Sequence, residues 1–263
     1  MSFETLTIEW QSNGRVDLTF ARPELLNRVD DDSRREFIEA LQSIGADSRA
    51  RCIVLAAEGE VFSAGGDFDM MRRKHGNPRL VHEGTADSLR LIEELNKIPV
   101  PIVVAMHGHA VGVGSTVVLS SDVVVASTNA KLIDSHVNIG LVAGDGGVVV
   151  WPAAMGMMKA KRHLLTGDPL GAEEAHRLGI ISDLVDSPGE VLGTARDIAD
   201  RICSLPPLAV RGTKRSFNHV MSLRAAEVLE LSLMYEAETM SSQDLLEAID
   251  AFTNRRQPRF SGE

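Results

Sequence analysis

Apolar and polar residues alternate over Leu6–Trp10 and again over Arg15–Phe20, on either side of Asn13-Gly14. That is the pattern of two antiparallel strands joined by a turn. Arg22-Pro23 ends the second strand, and residues 31–43 then carry Phe37, Ile38 and Leu41 at helical spacing. Two short apolar runs, Cys52–Ala57 and residues 101–106, read as buried strands, with a helix over 88–97 between them built on Leu89, Leu91, Ile92 and Leu95. Residues 114–119 are assigned to a helix although their valines favour strand, because a strand-turn-helix is what the preceding glycines accommodate. Strands follow at 122–126 and 131–134, and helices at 153–165 and 172–178, the last stopped by Gly179. Beyond Pro206-Pro207 come three helical patterns, 208–220, 225–240 and 242–254. The expected fold is α/β, a succession of strand, strand, helix units over residues 1–203 with a helical region over 204–263 that packs on the body or on a neighbouring subunit.

Composition narrows the class. With 44% hydrophobic and 24% charged residues, the chain of 263 residues is globular and long enough for a sizeable core. A net charge of −10 argues against a nucleic-acid groove as the main function. No apolar stretch reaches the length of a membrane span, Met1-Ser2-Phe3-Glu4 lacks the pattern of a secretory leader, and Cys52 and Cys203 form no disulfide framework. The expectation is a cytoplasmic protein.

The chemistry concentrates in two glycine-rich segments, 62–68 (Phe-Ser-Ala-Gly-Gly-Asp-Phe) and 107–115 (His-Gly-His-Ala-Val-Gly-Val-Gly-Ser). Each follows a buried strand and turns into a helix, a junction that exposes backbone N–H groups. Two such junctions aimed at one point would bind an oxygen that becomes negative during a reaction, which suits carbonyl and especially thioester chemistry.

These segments, in order with Arg22-Pro23-Glu24, Asn27, Asp122, Gly140-Leu141, Gly146-Gly147, Leu165-Thr166-Gly167, Ala172-Glu173-Glu174-Ala175, Pro206-Pro207 and Thr213-Lys214, make the chain resemble the crotonase superfamily, the enoyl-CoA hydratase/isomerase family, from end to end. The resemblance implies a crotonase-like spiral of ββα units, a homotrimer or dimer of trimers, and an acyl-CoA substrate in which coenzyme A is part of the substrate. It implies no separate cofactor, no metal, no nucleic acid and no membrane. By motif position, the oxyanion N–H groups belong to Ala64 and Val113, with Gly65, Gly66, Asp67, Phe68, Gly112, Gly114 and Thr116 around the substrate. Asp67 resembles the aspartate that braces the first turn.

The acid/base groups depart from the family. Thr116 and His136 stand where a hydratase places its two glutamates. His136 titrates near working pH, with Asp134 able to orient it if the local chain is not a straight strand. Asp145, in Gly144-Asp145-Gly146-Gly147, is a second candidate base or an ordinary Asp-Gly turn. A His136–Asp145 pair favours moving a proton between two carbons over adding water. Decarboxylation, thioester hydrolysis or acyl-CoA binding without turnover are the alternatives. His107 and His109 read as strand-end residues, and Arg255, Arg256 and Arg259 as a basic cluster facing CoA phosphates or a solvated helix end.

Overall fold

In the computed structural model, which describes residues 3–263, strand β1 (Leu6–Trp10) pairs antiparallel with β2 (Arg15–Phe20), Leu6 opposite Phe20. The loop 11–14 ends on Gly14 at φ 89°, where a β-carbon would stand 2.6 Å from the Arg49 carbonyl oxygen. Helix α1 (Asp31–Ala46) starts on a reciprocal cap in which Asp30 accepts from the Ser33 N–H and Ser33 Oγ accepts from the Asp30 N–H. There follow β3 (Cys52–Ala57), α2 (Phe68–Lys74), α3 (Pro78–Lys97), β4 (Ile102–Met106), β5 (Ala110–Val111), α4 (Val113–Leu119), β6 (Val123–Ser127) and β7 (Lys131–Ile133). The second half contains α5 (Gly147–Met155), α6 (Met157–Thr166), β8 (Leu170–Gly171), α7 (Ala172–Arg177), β9 (Asp183–Val185), α8 (Pro188–Cys203), α9 (Pro207–Thr239) and α10 (Gln243–Thr253).

One sheet has the order β1-β2-β3-β4-β6-β9 and is parallel beyond its first hairpin. A smaller sheet has the order β5-β7-β8. The chain feeds both in turn: β4 enters the large sheet and β5 the small one before α4, and β6 and β7 repeat the step. This alternation makes the spiral of ββα units that the glycine-punctuated pattern predicts.

The large sheet is covered on both faces. Leu18, Ile53 and Leu55 pack with Phe37, Leu41, Leu91 and Ile92 of α1 and α3. Cys52, Val54, Val103 and Val125 pack against Val191, Ala195, Ala199 and Cys203 of α8. Ala225, Leu229 and Leu233 of α9 join the first layer, so the long helix shares the main core. Among the described residues, no helix is long and apolar enough to cross a membrane.

Three helix expectations change. Helix α3 begins ten residues before its apolar stripe reads as helical, at Pro78 behind the Asn77 cap, and α2 precedes it. The single helix expected over 153–165 is two, broken at Gly156, whose φ of 83° no helix accommodates. Conversely, 208–220 and 225–240 are one continuous helix, because residues 221–224 (Met-Ser-Leu-Arg) contain no breaker. Helix α4 forms despite its valines: Gly112 at φ 52° turns the chain, and Val117 and Val118 are buried.

Candidate active site

A cavity of about 510 Å³ lies between the first glycine turn, the start of α4, the 136–139 turn and the α9–α10 pair. Gly66, Val113, His136, Asp145 and Glu236 line it together with Met70, Met71, Leu233 and Met240.

The two glycine turns meet back to back. Ser63 bridges Ala110, and a β-carbon on Gly65, at φ 87°, would stand 3.0 Å from the Val111 carbonyl oxygen. This close approach is what requires glycine there. Ala64 does not supply a free donor as expected, because its N–H donates to the Leu26 carbonyl at 2.9 Å. Gly66 does: its bridge to Val29 uses the Val29 and Asp67 N–H groups, leaving the Gly66 N–H without a protein acceptor among the described residues. Val113 is the first residue of α4, ahead of the Thr116-to-Gly112 bond, so its N–H is likewise uncommitted. The substitution of valine for glycine leaves that donor in place.

The β7 strand ends at Ile133, and the chain tightens into a short 3-10 turn at His136–Ile139. That bend, rather than strand alternation, brings Asp134 Oδ1 to 2.7 Å from His136 Nδ1. On the other side of the ring, Nε2 lies 3.5 Å from Asp145 Oδ2. The imidazole lies against the donor turn: a β-carbon at Gly112 would be in ordinary contact with His136 Cε1, at 3.7 Å. Burial by itself would discharge the imidazolium, but the negative charges of Asp145 and Asp134 outweigh it and hold His136 well above its ordinary pKa. Asp145 responds in kind: burial would raise it, and the facing His136 charge lowers it.

Glu236 of α9 completes the group. One ligand atom each of His136, Asp145 and Glu236 lies within 4.8 Å of the others. Burial, then repulsion from Asp145, pushes the Glu236 carboxyl up to about 8, so it is protonated at neutral pH. Glu236 Oε2 and Asp145 Oδ1 are sealed from solvent and accept no hydrogen bond from the described residues. Gly144 lets α9 come this near, for a β-carbon there would meet the Ser232 carbonyl oxygen at 2.5 Å and Glu236 Oε2 at 2.7 Å.

The sequence pattern of the enoyl-CoA hydratase/isomerase family matches residues 11–263. The chain belongs to that family. It is 29% identical over 252 residues to the 1,2-epoxyphenylacetyl-CoA isomerase of Escherichia coli K12, covering 95% of this chain and 96% of that one. An enoyl-CoA hydratase/isomerase from Mycobacterium paratuberculosis superposes with a TM-score of 0.90 at 31% identity, covering 95% and 99% of the two chains. A β-diketone hydrolase from Anabaena sp. PCC 7120, solved with (S)-3-oxocyclohexyl acetic acid, superposes at 0.83 with 25% identity, covering 91% and 95%. The crotonase fold and an enzyme of the hydratase/isomerase type are thereby established, with the reaction left open.

Within this family member, the residues expected around the substrate divide. Gly66, Phe68, Gly112 and Val113 line the cavity, and so does Ala64, while Gly65, Asp67, Gly114 and Thr116 do not. Asp67 caps α2 through the Met70 N–H at 2.5 Å and pairs with Arg28 at 2.6 Å. Gly114 makes room for Ser63, and fully buried Thr116 turns its methyl group toward Gly146. Thr116 therefore does not reach the cavity as a holder of water or substrate oxygen. Arg256 is tied to Glu247 and Asp250 at 2.6 Å each, which occupies the guanidinium expected to face phosphates. His107 Nε2 meets the Gly59 carbonyl at 3.0 Å, a strand-end contact as read from the sequence.

Glu236 was not among the expected site residues. A signal existed: Leu229, Ser232, Leu233, Glu236 and Met240 share one helical face, and a glutamate on an otherwise buried stripe is out of place there.

Proposed function

We propose that this enzyme forms an enolate from an acyl-CoA thioester and moves a proton between two of its carbons, isomerising an enoyl double bond. The carrying observation is that the cluster of His136, Asp145 and Glu236 and two uncommitted N–H groups border one cavity. The N–H groups of Gly66 and Val113 hold the thioester oxygen as it gains charge. Asp145, ionised, takes a proton from carbon; Glu236, protonated, returns one; His136 lies between them and keeps the charge balanced. Because imidazolium His136 and protonated Glu236 would each have to lose a proton before they could ligate a cation, we read the cluster as a proton relay rather than a metal site. A water held by Asp145 would allow hydration at the same centre.

A second reading is favoured by the buried Asp134 behind His136, which orients the imidazole as in water-activating hydrolytic sites. Water that gives a proton to ionised Asp145, held in place by His136, attacks a carbonyl carbon, the adjacent carbon–carbon bond breaks, and the leaving enolate carbon takes the Glu236 proton. The likeness to the β-diketone hydrolase supports this reading.

The test is turnover in D2O, followed by NMR, of a 3-enoyl-CoA, crotonyl-CoA and a cyclic 1,3-diketone. Double-bond migration in the 3-enoyl-CoA supports the leading reading. Ring opening of the diketone alone transfers the assignment to hydrolysis. Family resemblance also implies trimers, and the exposed Leu208, Phe217 and Leu223 of α9 support self-association through that helix.

A further inference from the structure

Arg34 is buried on the inward stripe of α1, which it shares with Phe37, Ile38 and Leu41. It is 7% exposed, yet it makes a single hydrogen bond, from Nη1 to the Gly84 carbonyl at 3.4 Å. Its Nε is sealed from solvent without an acceptor, and no carboxylate among the described residues reaches ion-pair distance. The other deeply buried cationic side chains are matched: Lys74 to Asp31 at 2.5 Å, Lys214 to Asp122 at 2.8 Å and His136 to Asp134 at 2.7 Å. Arginine retains its charge even when buried, so an unmatched guanidinium must find an acceptor or remain a standing cost.

Arg34 lines the catalytic cavity beside Thr85 and Ser88 of α3. Its positive charge acts on both Asp145 and Glu236, which puts it on the reacting side of that space. Neither carboxyl neutralises it directly: Asp145 faces His136, and Glu236 carries a proton. A purely aliphatic acyl chain would expel water from the cavity and leave the guanidinium with only the long bond to the Gly84 carbonyl. Its planar fork matches a carboxylate.

We infer that Arg34 docks a carboxylate carried by the acyl portion of the substrate, so that the enzyme acts on a dicarboxylic monothioester rather than a simple fatty acyl chain. This deepens the acyl-thioester reading above and rests on it.

Calorimetric binding of glutaryl-CoA and valeryl-CoA tests it, the two differing only in a terminal carboxylate against a methyl. Wild-type protein is expected to prefer glutaryl-CoA by about 10- to 100-fold, the scale of a charge-assisted hydrogen bond. Arg34→Met should lose the preference while keeping valeryl-CoA binding, and Arg34→Lys should keep part of it. Equal binding of the two by wild-type protein, or a preference that survives in Arg34→Met and Arg34→Gln, overturns the inference. If neither thioester binds, the acyl-CoA reading fails on its own, and hexanoate against hexanamide in ligand-observed NMR decides Arg34 separately. Preference for hexanoate that vanishes in Arg34→Met sustains the anion site; no preference removes it.

Discussion

Asp134 Oδ1 stands 2.7 Å from His136 Nδ1 because the chain bends into a 3-10 turn immediately after β7. Asp134 thereby fixes the ring so that Nε2 points to Asp145. Asp134→Asn removes one of the charges that hold the imidazolium, so the His136 pKa falls. Turnover is expected to drop about 10- to 100-fold, the usual cost of losing an orienting partner. The pH–rate limb belonging to His136 should move to lower pH, and a limb that stays put would make Asp134 merely structural.

His136→Ala and Asp145→Asn each remove a member of the proposed proton relay. Each should lower kcat by about 10²- to 10⁴-fold, the range for a lost general acid or base. The double variant should be little worse than either single one, since the groups act as a unit. Steady-state kinetics on whichever substrate turns over measures both effects, and additive losses would place the two residues in separate roles.

Glu236 is expected to set the alkaline side of the pH profile. Its folded pKa of about 8 lies above its ordinary value of 4.5, so the folded protein keeps a proton that the unfolded chain has released. Stability contributed by this group therefore falls as pH rises from the ordinary carboxylate range to about 8. The raised His136 has the same sign: its contribution is complete below the ordinary histidine range and is lost as pH rises through its elevated folded value. Glu236→Gln should flatten the dependence of melting temperature on pH and lower turnover. A wild-type rate that falls as pH passes about 8, with the fall absent in Glu236→Gln, would identify Glu236 as the acid. An unchanged pH profile would remove it from the reaction.

Val113→Pro isolates a single backbone donor. Proline is tolerated at the first position of a helix, and the preceding Gly112 adapts to it, so α4 should survive while the N–H disappears. Loss of one oxyanion donor typically costs about 10²- to 10³-fold in kcat. Far-ultraviolet circular dichroism checks the fold, and a folded variant with wild-type kcat would end the assignment of Val113 as a donor.

Gly144→Ala tests the approach of α9. The added β-carbon meets backbone, the Ser232 carbonyl, at 2.5 Å, so the helix must retreat. Overpacking of this kind costs about 1–3 kcal/mol, seen as a lower midpoint in urea unfolding. Since Glu236 moves with the helix, the pH–rate limb near 8 should weaken as well. A variant of unchanged stability and profile would mean that α9 holds Glu236 less closely than the structure places it.

Local patterns made much of this protein legible in advance. The strand-helix succession, the two glycine turns, Asp67 as a brace and the His136–Asp134 pairing all follow from residues close together in sequence. Errors arose where the deciding contact was distant. Ala64 looked like a donor by its place in the motif, but only the folded chain brings the Leu26 carbonyl to its N–H and leaves Gly66 free. Thr116 looked like a substrate contact, but packing against Gly146 turns it inward. Glu236 and Arg34 lie on helical stripes whose periodicity is plain, yet periodicity says only that a side chain faces inward, not what it meets there.

The sequence by itself determined the family, the ββα succession and the two turns, because hydrophobic period and glycine conformation act over a few residues. Tertiary structure alone decided which N–H groups are free, that Glu236 joins His136 and Asp145, and that Arg34 has no carboxylate at ion-pair distance among the described residues. Those facts depend on burial and on Coulomb interactions between elements far apart in the chain, and both exist only after the helices have packed around the cavity.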